Sequence, residues 1–200
     1  MYTRSESVVA SFYERAGRVK LRDGRIGSVT IGGAVSPAGG NFDEPVTQAT
    51  IKVVGAFHGL SRARSDARRY PAIDPLDSWS KYNSVCDSEK VANIRAALRH
   101  GNDVSQMMKV VGEEGTAIDD FTDYLKSELI DAVYLQQDSF HAIDASCPAE
   151  RQRYVFDKLL KIVNAKMNFT DRDVARRFFH ELTQTMRDWN CSEWKSNNFV

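Results

Sequence analysis

The sequence predicts a mainly α chain in two parts: an α/β segment over residues 1–85, then an antiparallel helical bundle over residues 86–200. Two observations carry this. Four of the five prolines, Pro37, Pro45, Pro71 and Pro75, and most of the 12 glycines precede residue 80, which concentrates turns there. After Asp77, apolar residues recur at spacings of three and four, and the periodic stretches follow one another through short connections, as antiparallel neighbours require. The 200 residues allow one or two domains with a sizeable core.

Residues 5–17 read as a short helix: Val8, Val9, Phe12 and Tyr13 share a face, Ser5 suits the N-cap, and Gly17 suits the left-handed exit. Residues 18–22 and 25–31 flank Asp23-Gly24, a pair that tolerates the positive φ of a two-residue turn, and predict a hairpin. The composition of residues 36–44 marks a loop. Residues 51–57 form an apolar, β-branched run that suits a buried strand, with a helix the alternative. Residues 61–69 read as a short arginine-rich helix that Pro71 terminates, because the residue before a proline is pushed out of the α region.

The bundle follows. Val91, Ile94, Ala97, Leu98, Val104, Met107, Met108 and Val111 form one stripe over residues 88–111, which Gly101-Asn102 can divide in two. Phe121, Tyr124, Leu125, Leu129 and Val133 form the next over residues 117–137, behind a Thr116 cap. A third helix opens with Pro148 in its first turn and carries Val155, Leu159, Ile162 and Val163. A fourth opens at Thr170-Asp171 and carries Val174, Phe178, Leu182 and Met186, after which residues 191–200 fray.

Composition narrows the function classes. Lys and Arg total 27 and Asp and Glu total 27, so the formal net charge is zero, which argues against a nucleic-acid or polybasic membrane binder. Cys86, Cys147 and Cys191 contain no CxxC pair, so neither a disulfide framework nor a zinc cluster is expected, and a reducing compartment fits. No apolar run reaches the ~18 residues of a membrane span, and the N-terminus lacks the apolar core of a signal peptide. Phosphate-loop, dinucleotide, zincin and serine-elbow motifs are all missing. His58, His100, His141 and His180 lack ligand spacing, so no metal site is expected. Arg62, Arg64, Arg68 and Arg69, with Asp66 among them, suit a solvated face better than a phosphate site.

Three ordered words are more specific: Phe12-Tyr-Glu-Arg-Ala-Gly17, Gly27-Ser-Val-Thr-Ile31 and Ala34-Val-Ser-Pro-Ala-Gly-Gly-Asn-Phe-Asp-Glu-Pro-Val-Thr-Gln-Ala-Thr50. With Arg69-Tyr-Pro-Ala-Ile-Asp74 and Leu135-Gln-Gln-Asp-Ser-Phe-His141, they make residues 8–165 resemble the catalytic A subunit of V-type and A-type rotary ATPases. The resemblance implies the end of a RecA-like α/β nucleotide-binding domain followed by the C-terminal helical domain. In that family the phosphate loop, the water-activating glutamate and the metal-side aspartate precede the Phe-Tyr-Glu-Arg word. No catalytic residue is therefore expected here, and these 200 residues alone are expected not to hydrolyse ATP.

The resemblance implies an adenine pocket walled by Tyr70 and Phe140, with Gln137 and Ser139 as polar contacts. From the residues alone, Tyr70 and Phe140 are better read as core aromatics. It also implies that the acidic turn with Glu113, Glu114, Asp119 and Asp120 faces the rotating central stalk, although these acids suit a helix N-terminus and solvent as well. Asp74-Pro75-Leu76-Asp77 departs from the family pattern towards the β-subunit version. The implied cofactors are ATP or ADP with Mg in the complete subunit, with no tight binding by this chain alone. The implied partners are B subunits and the central stalk, in a cytoplasmic head peripheral to the membrane. The alternative is a stand-alone helical interaction protein, or a degenerate paralogue that does not use nucleotide.

Overall fold

The computed structural model describes residues 2–82 and 85–196, and divides into two compact units: residues 1–57 with 80–82, and residues 58–79 with 83–200. The sequence places a boundary at residue 85; in this division the first unit's return segment ends at residue 82, and residues 58–79 pack within the helical unit.

The first unit opens with α1, Tyr2–Tyr13, so Ser5 lies inside the helix rather than at its cap. Strands β1, Gly17–Lys20, and β2, Ile26–Val29, pair antiparallel with Gly17 opposite Val29 and Lys20 opposite Ile26. The expected hairpin is present, but its loop has three residues rather than two. Leu21 N–H donates to Arg25 O at 2.7 Å and Gly24 N–H donates to Leu21 O at 3.0 Å. Gly24 adopts φ 84°, the left-handed position that closes such a loop. Residues 51–57 are not one buried strand. Helix α2, Pro45–Val53, takes residues 51–53 of the run, and Ala56–Phe57 form a short strand, β3. Pro45 explains the difference, because its fixed φ preorganises a first helical turn that the β-branched composition downstream does not reveal. The helix buries Thr47, Ala49 and Thr50 and packs against α1. Lys81 N–H then donates to Gly55 O at 2.8 Å.

In the helical unit, α3 spans Arg62–Asp66, with Ser61 accepting from Arg64 N–H as its cap. It ends well before Pro71, because Arg68 turns left-handed at φ 57°. After β4, Trp79–Ser80, helix α4 runs unbroken from Ser88 to Val111. Gly101 does not divide it. The glycine is buried against α5, Ile118–Ile130, where an added Cβ would stand 2.1 Å from Ser127 Oγ and 2.2 Å from Ser127 Cβ. Its role is close approach of two helices rather than chain breaking. Thr116 is no cap: Ala117 holds that position, while the buried Thr116 hydroxyl donates to Gly112 O at 3.2 Å. At Asp131–Leu135 the helix widens into a π turn. A short α6, Ala142–Ala145, leads to α7, Ala149–Asn164, whose cap rather than first turn is Pro148. Helix α8, Arg172–Asn190, starts where expected, with Asp171 accepting from Asp173 N–H.

Helix α5 packs against α4, α7 and α8. Their shared core joins Ile94, Leu129, Ile130, Val133, Phe156, Leu159, Val163, Phe179 and Met186. The expected stripe of α8 is out of phase over its first half. Val174 and Phe178 are 41% and 43% exposed, whereas Ala175 and Phe179 are buried with Met186. Steps of four drift about 40° each on a 3.6-residue helix, so a face must alternate steps of four and three, as Ala175, Phe179, Leu182 and Met186 do. Past α8, the Trp194 ring stacks edge-on to Tyr154 at 5.6 Å; positions 197–200 of the expected frayed end lie outside the described residues.

Candidate functional site

A cavity of about 740 Å³ opens in the helical unit, with Tyr70, Gln137, Ser139 and Phe140 all in its lining. The four residues that the sequence places together all line this cavity, though they come from two segments far apart in the chain. Gln137 N–H donates to Tyr70 O at 3.0 Å, which closes one wall against the other. Downstream, Asp138 organises the turn: its Oδ1 accepts from Phe140 N–H at 2.9 Å, and its own N–H donates to Asp144 Oδ2 at 2.7 Å. The Gln137 amide reaches Asp144 O at 3.3 Å.

Tyr70 is 54% exposed and Phe140 is 99% exposed, so neither is a core aromatic. An aromatic ring left in water at the rim of a concavity offers a face to a flat ligand. The same lining contains residues for which the sequence suggests no place in this pocket: Arg68, Arg187 and Cys191. Burial, followed by the nearby Asp144 carboxylate, pushes the Cys191 thiol above its ordinary range, so it stays protonated and weakly nucleophilic at neutral pH.

Behind the Tyr70 wall, the arginines do not form a solvated face as a set. The Arg62 side chain is 93% exposed, but the Arg64 side chain is 12% exposed and forms an ion pair with Asp131. Arg69 reaches Glu128 at 2.8 Å and Asp131 at 2.6 Å. Burial would lower the Arg69 pKa, yet the hydrogen bond and charge of Glu128, followed by those of Asp131, raise it overall, so the guanidinium stays charged. Asp131 is the functional candidate that sequence reading missed. The available signal is a lone carboxylate inside the apolar run Leu129, Ile130, Val133, because a charge there must have a partner.

The acidic turn is separate from the cavity. Glu113 is ion-paired with Arg176, whose guanidinium also lies 5.4 Å from the Phe121 ring centre. Glu114 and Asp119 are exposed, and Asp119 and Asp120 sit in the first turn of α5, where their charge favours the helix dipole. Asp120 and Asp123 both approach His100, at 4.0 and 3.6 Å. Just before the turn, Val110 is 86% exposed.

The cavity lining combines two exposed aromatic rings with carboxamide and hydroxyl groups. They do not suit a metal: among the described residues no group of three or more His, Cys, Asp or Glu side chains is placed to hold a cation. Among the described residues, no helix is long and apolar enough to cross a membrane.

Comparison with known proteins bears on the family and the fold. Residues 3–80 match the model of the ATP synthase alpha/beta family, nucleotide-binding domain, and residues 88–179 match the C-terminal domain of V and A type ATP synthase. The V-type ATP synthase alpha chain of Borreliella afzelii (strain PKo) is 60% identical over 194 residues, covering 97% of this chain and 34% of that protein. V-type ATP synthase alpha chain 1 of Treponema pallidum (strain Nichols) is 58% identical over 195 residues, covering 98% of this chain and 33% of that protein. The chain thus spans about a third of the length of these curated relatives. Among solved structures, the ATP synthase subunit NeqB from Nanoarcheaum equitans superposes with a TM-score of 0.65 at 20% identity, covering 80% of this chain and 40% of that one, which supports the fold alone.

Proposed function

We propose that this chain, which belongs to the V/A-type ATP synthase alpha-chain family and carries a C-terminal portion of such a subunit, supplies the base-binding wall of its nucleotide site. Residues 1–85 then complete a RecA-like nucleotide-binding domain, and residues 86–200 form the helical domain. The observation that carries this reading is the meeting of exposed Tyr70 and Phe140, with Gln137 and Ser139, around one cavity. The adenine of ATP or ADP slots between the two rings, while the phosphates and their Mg are held by groups outside this chain. Phosphoryl transfer needs charge neutralisation and in-line positioning, so the 200 residues alone bind nucleotide weakly and do not turn it over.

Stacking on an aromatic contributes about 1–3 kcal/mol per base. Tyr70→Ala in the complete subunit is therefore expected to weaken ADP binding about tenfold without lowering the melting temperature. Unchanged affinity would remove Tyr70 from the site.

The exposed acids Glu114 and Asp119, beside the protruding Val110, support the second half of the proposal: this end of the bundle engages a central stalk, with B subunits as neighbours in a soluble head peripheral to the membrane. Charge reversal at Glu114 and Asp119 should weaken coupling of ATP turnover to rotation. Full ATP-driven rotation in that variant would take them out of the mechanism. Glu113 is left out of this test because Arg176 already holds it within the bundle.

A further inference from the structure

We infer that Asp131 is the positioning residue of the base pocket: one buried carboxylate fixes the two chain segments that carry the pocket's opposite walls. This rests on the base-pocket reading above. Asp131 is 4% exposed, at the first position of the π turn. Its Oδ1 accepts from Arg64, and its Oδ2 accepts from Arg69 Nη1 at 2.6 Å and from Gln136 Nε2 at 3.3 Å. Its backbone carbonyl also accepts from Gln136 N–H at 3.0 Å. Arg69 directly precedes Tyr70, and Gln136 directly precedes Gln137, whose N–H reaches Tyr70 O. The carboxylate therefore holds each wall one residue away from the point where the walls touch.

Stability alone does not call for a buried ion pair here. Ile130 is 0% exposed and Val133 is 1% exposed, so apolar side chains replacing Asp131 and Arg64 together would avoid the desolvation cost that the buried pair carries. Among the described residues, Arg64 Nε and Nη2 are buried without a hydrogen-bond partner, so its guanidinium is oriented through its contact with Asp131. What the carboxylate adds is direction. Donors from two segments converge on two oxygens at fixed angles, and apolar contacts have no such directionality.

The test compares Tyr70→Ala, Asp131→Asn and the double variant in the complete subunit, with Kd for ADP and melting temperature read for each. If Asp131 acts by placing the wall, Asp131→Asn weakens ADP binding about fivefold to tenfold, and the double variant binds no more weakly than Tyr70→Ala. A merely structural Asp131 instead lowers the melting temperature with Kd unchanged, or gives losses that multiply in the double variant, and either result overturns the inference. If Tyr70→Ala itself leaves Kd unchanged, the pocket reading falls and this inference with it. If only Asp131→Asn leaves Kd unchanged, the pocket stands and the positioning role falls. Should Asp131→Asn fail to fold, Arg69→Gln removes a half-exposed arm of the same network and is held to the same comparison.

Discussion

The two compact units both contain amphipathic helices, but only one of them closes a core. In the first unit Val8, Phe12, Val19, Ile26 and Val29 are between 55% and 62% exposed, and its buried residues among those described are Thr47, Ala49 and Thr50. In the helical unit Phe121, Leu129, Ile130 and Leu159 are at most 1% exposed. Among the described residues, strands β1 and β2 pair only with each other, so each keeps an open edge, and a lone two-stranded hairpin is marginal in water. A helix, by contrast, satisfies its backbone internally and needs only a partner for its stripe. The first unit leaves its apolar faces uncovered among the described residues, while the bundle carries its own cover.

The sharpest way to break this contrast is to cut both regions and compare thermal unfolding. Leu159→Ala, at 0% exposure in the centre of the bundle, should destabilise by about 2–5 kcal/mol. Gly101→Ala should cost less, about 1–3 kcal/mol, because its Cβ would overlap Ser127 where α4 and α5 touch, and a shift of the helices is the only relief. Val29→Ser, at 59% exposure in the first unit, should stay within about 0.5 kcal/mol and reduce self-association seen by size-exclusion chromatography. A loss at Val29 as large as that at Leu159 would show that the first unit has a core of its own.

The same contrast describes how legible the sequence was. Bundle helices were found almost to the residue, because a stripe with 3.6 periodicity is a local pattern that tertiary packing reinforces. The first unit was harder: residues 51–57 looked like a strand by composition, and the N1 proline that starts α2 lay outside that window. Within the bundle, the errors occurred where a residue's role depends on what faces it. Gly101 looked like a breaker and is a contact, Thr116 looked like a cap and is buried, and the α8 stripe was set one residue out of phase.

By itself, the sequence determined the mainly α class, the order and extent of the long helices, and the ordered words that pointed to the family. Tyr70 and Phe140 were legible as a pair only through those words, since nothing local distinguishes a rim aromatic from a core one. The tertiary structure alone decided that both rings stand at the rim of one cavity, that Arg64 and Arg69 face inward while Arg62 does not, and that Asp131 joins the two walls. The reason is range. Helical spacing is written within four residues, whereas Asp131 meets Arg69 and Arg64 across 62 and 67 positions, a distance over which pairing is set by folded geometry and not by pattern.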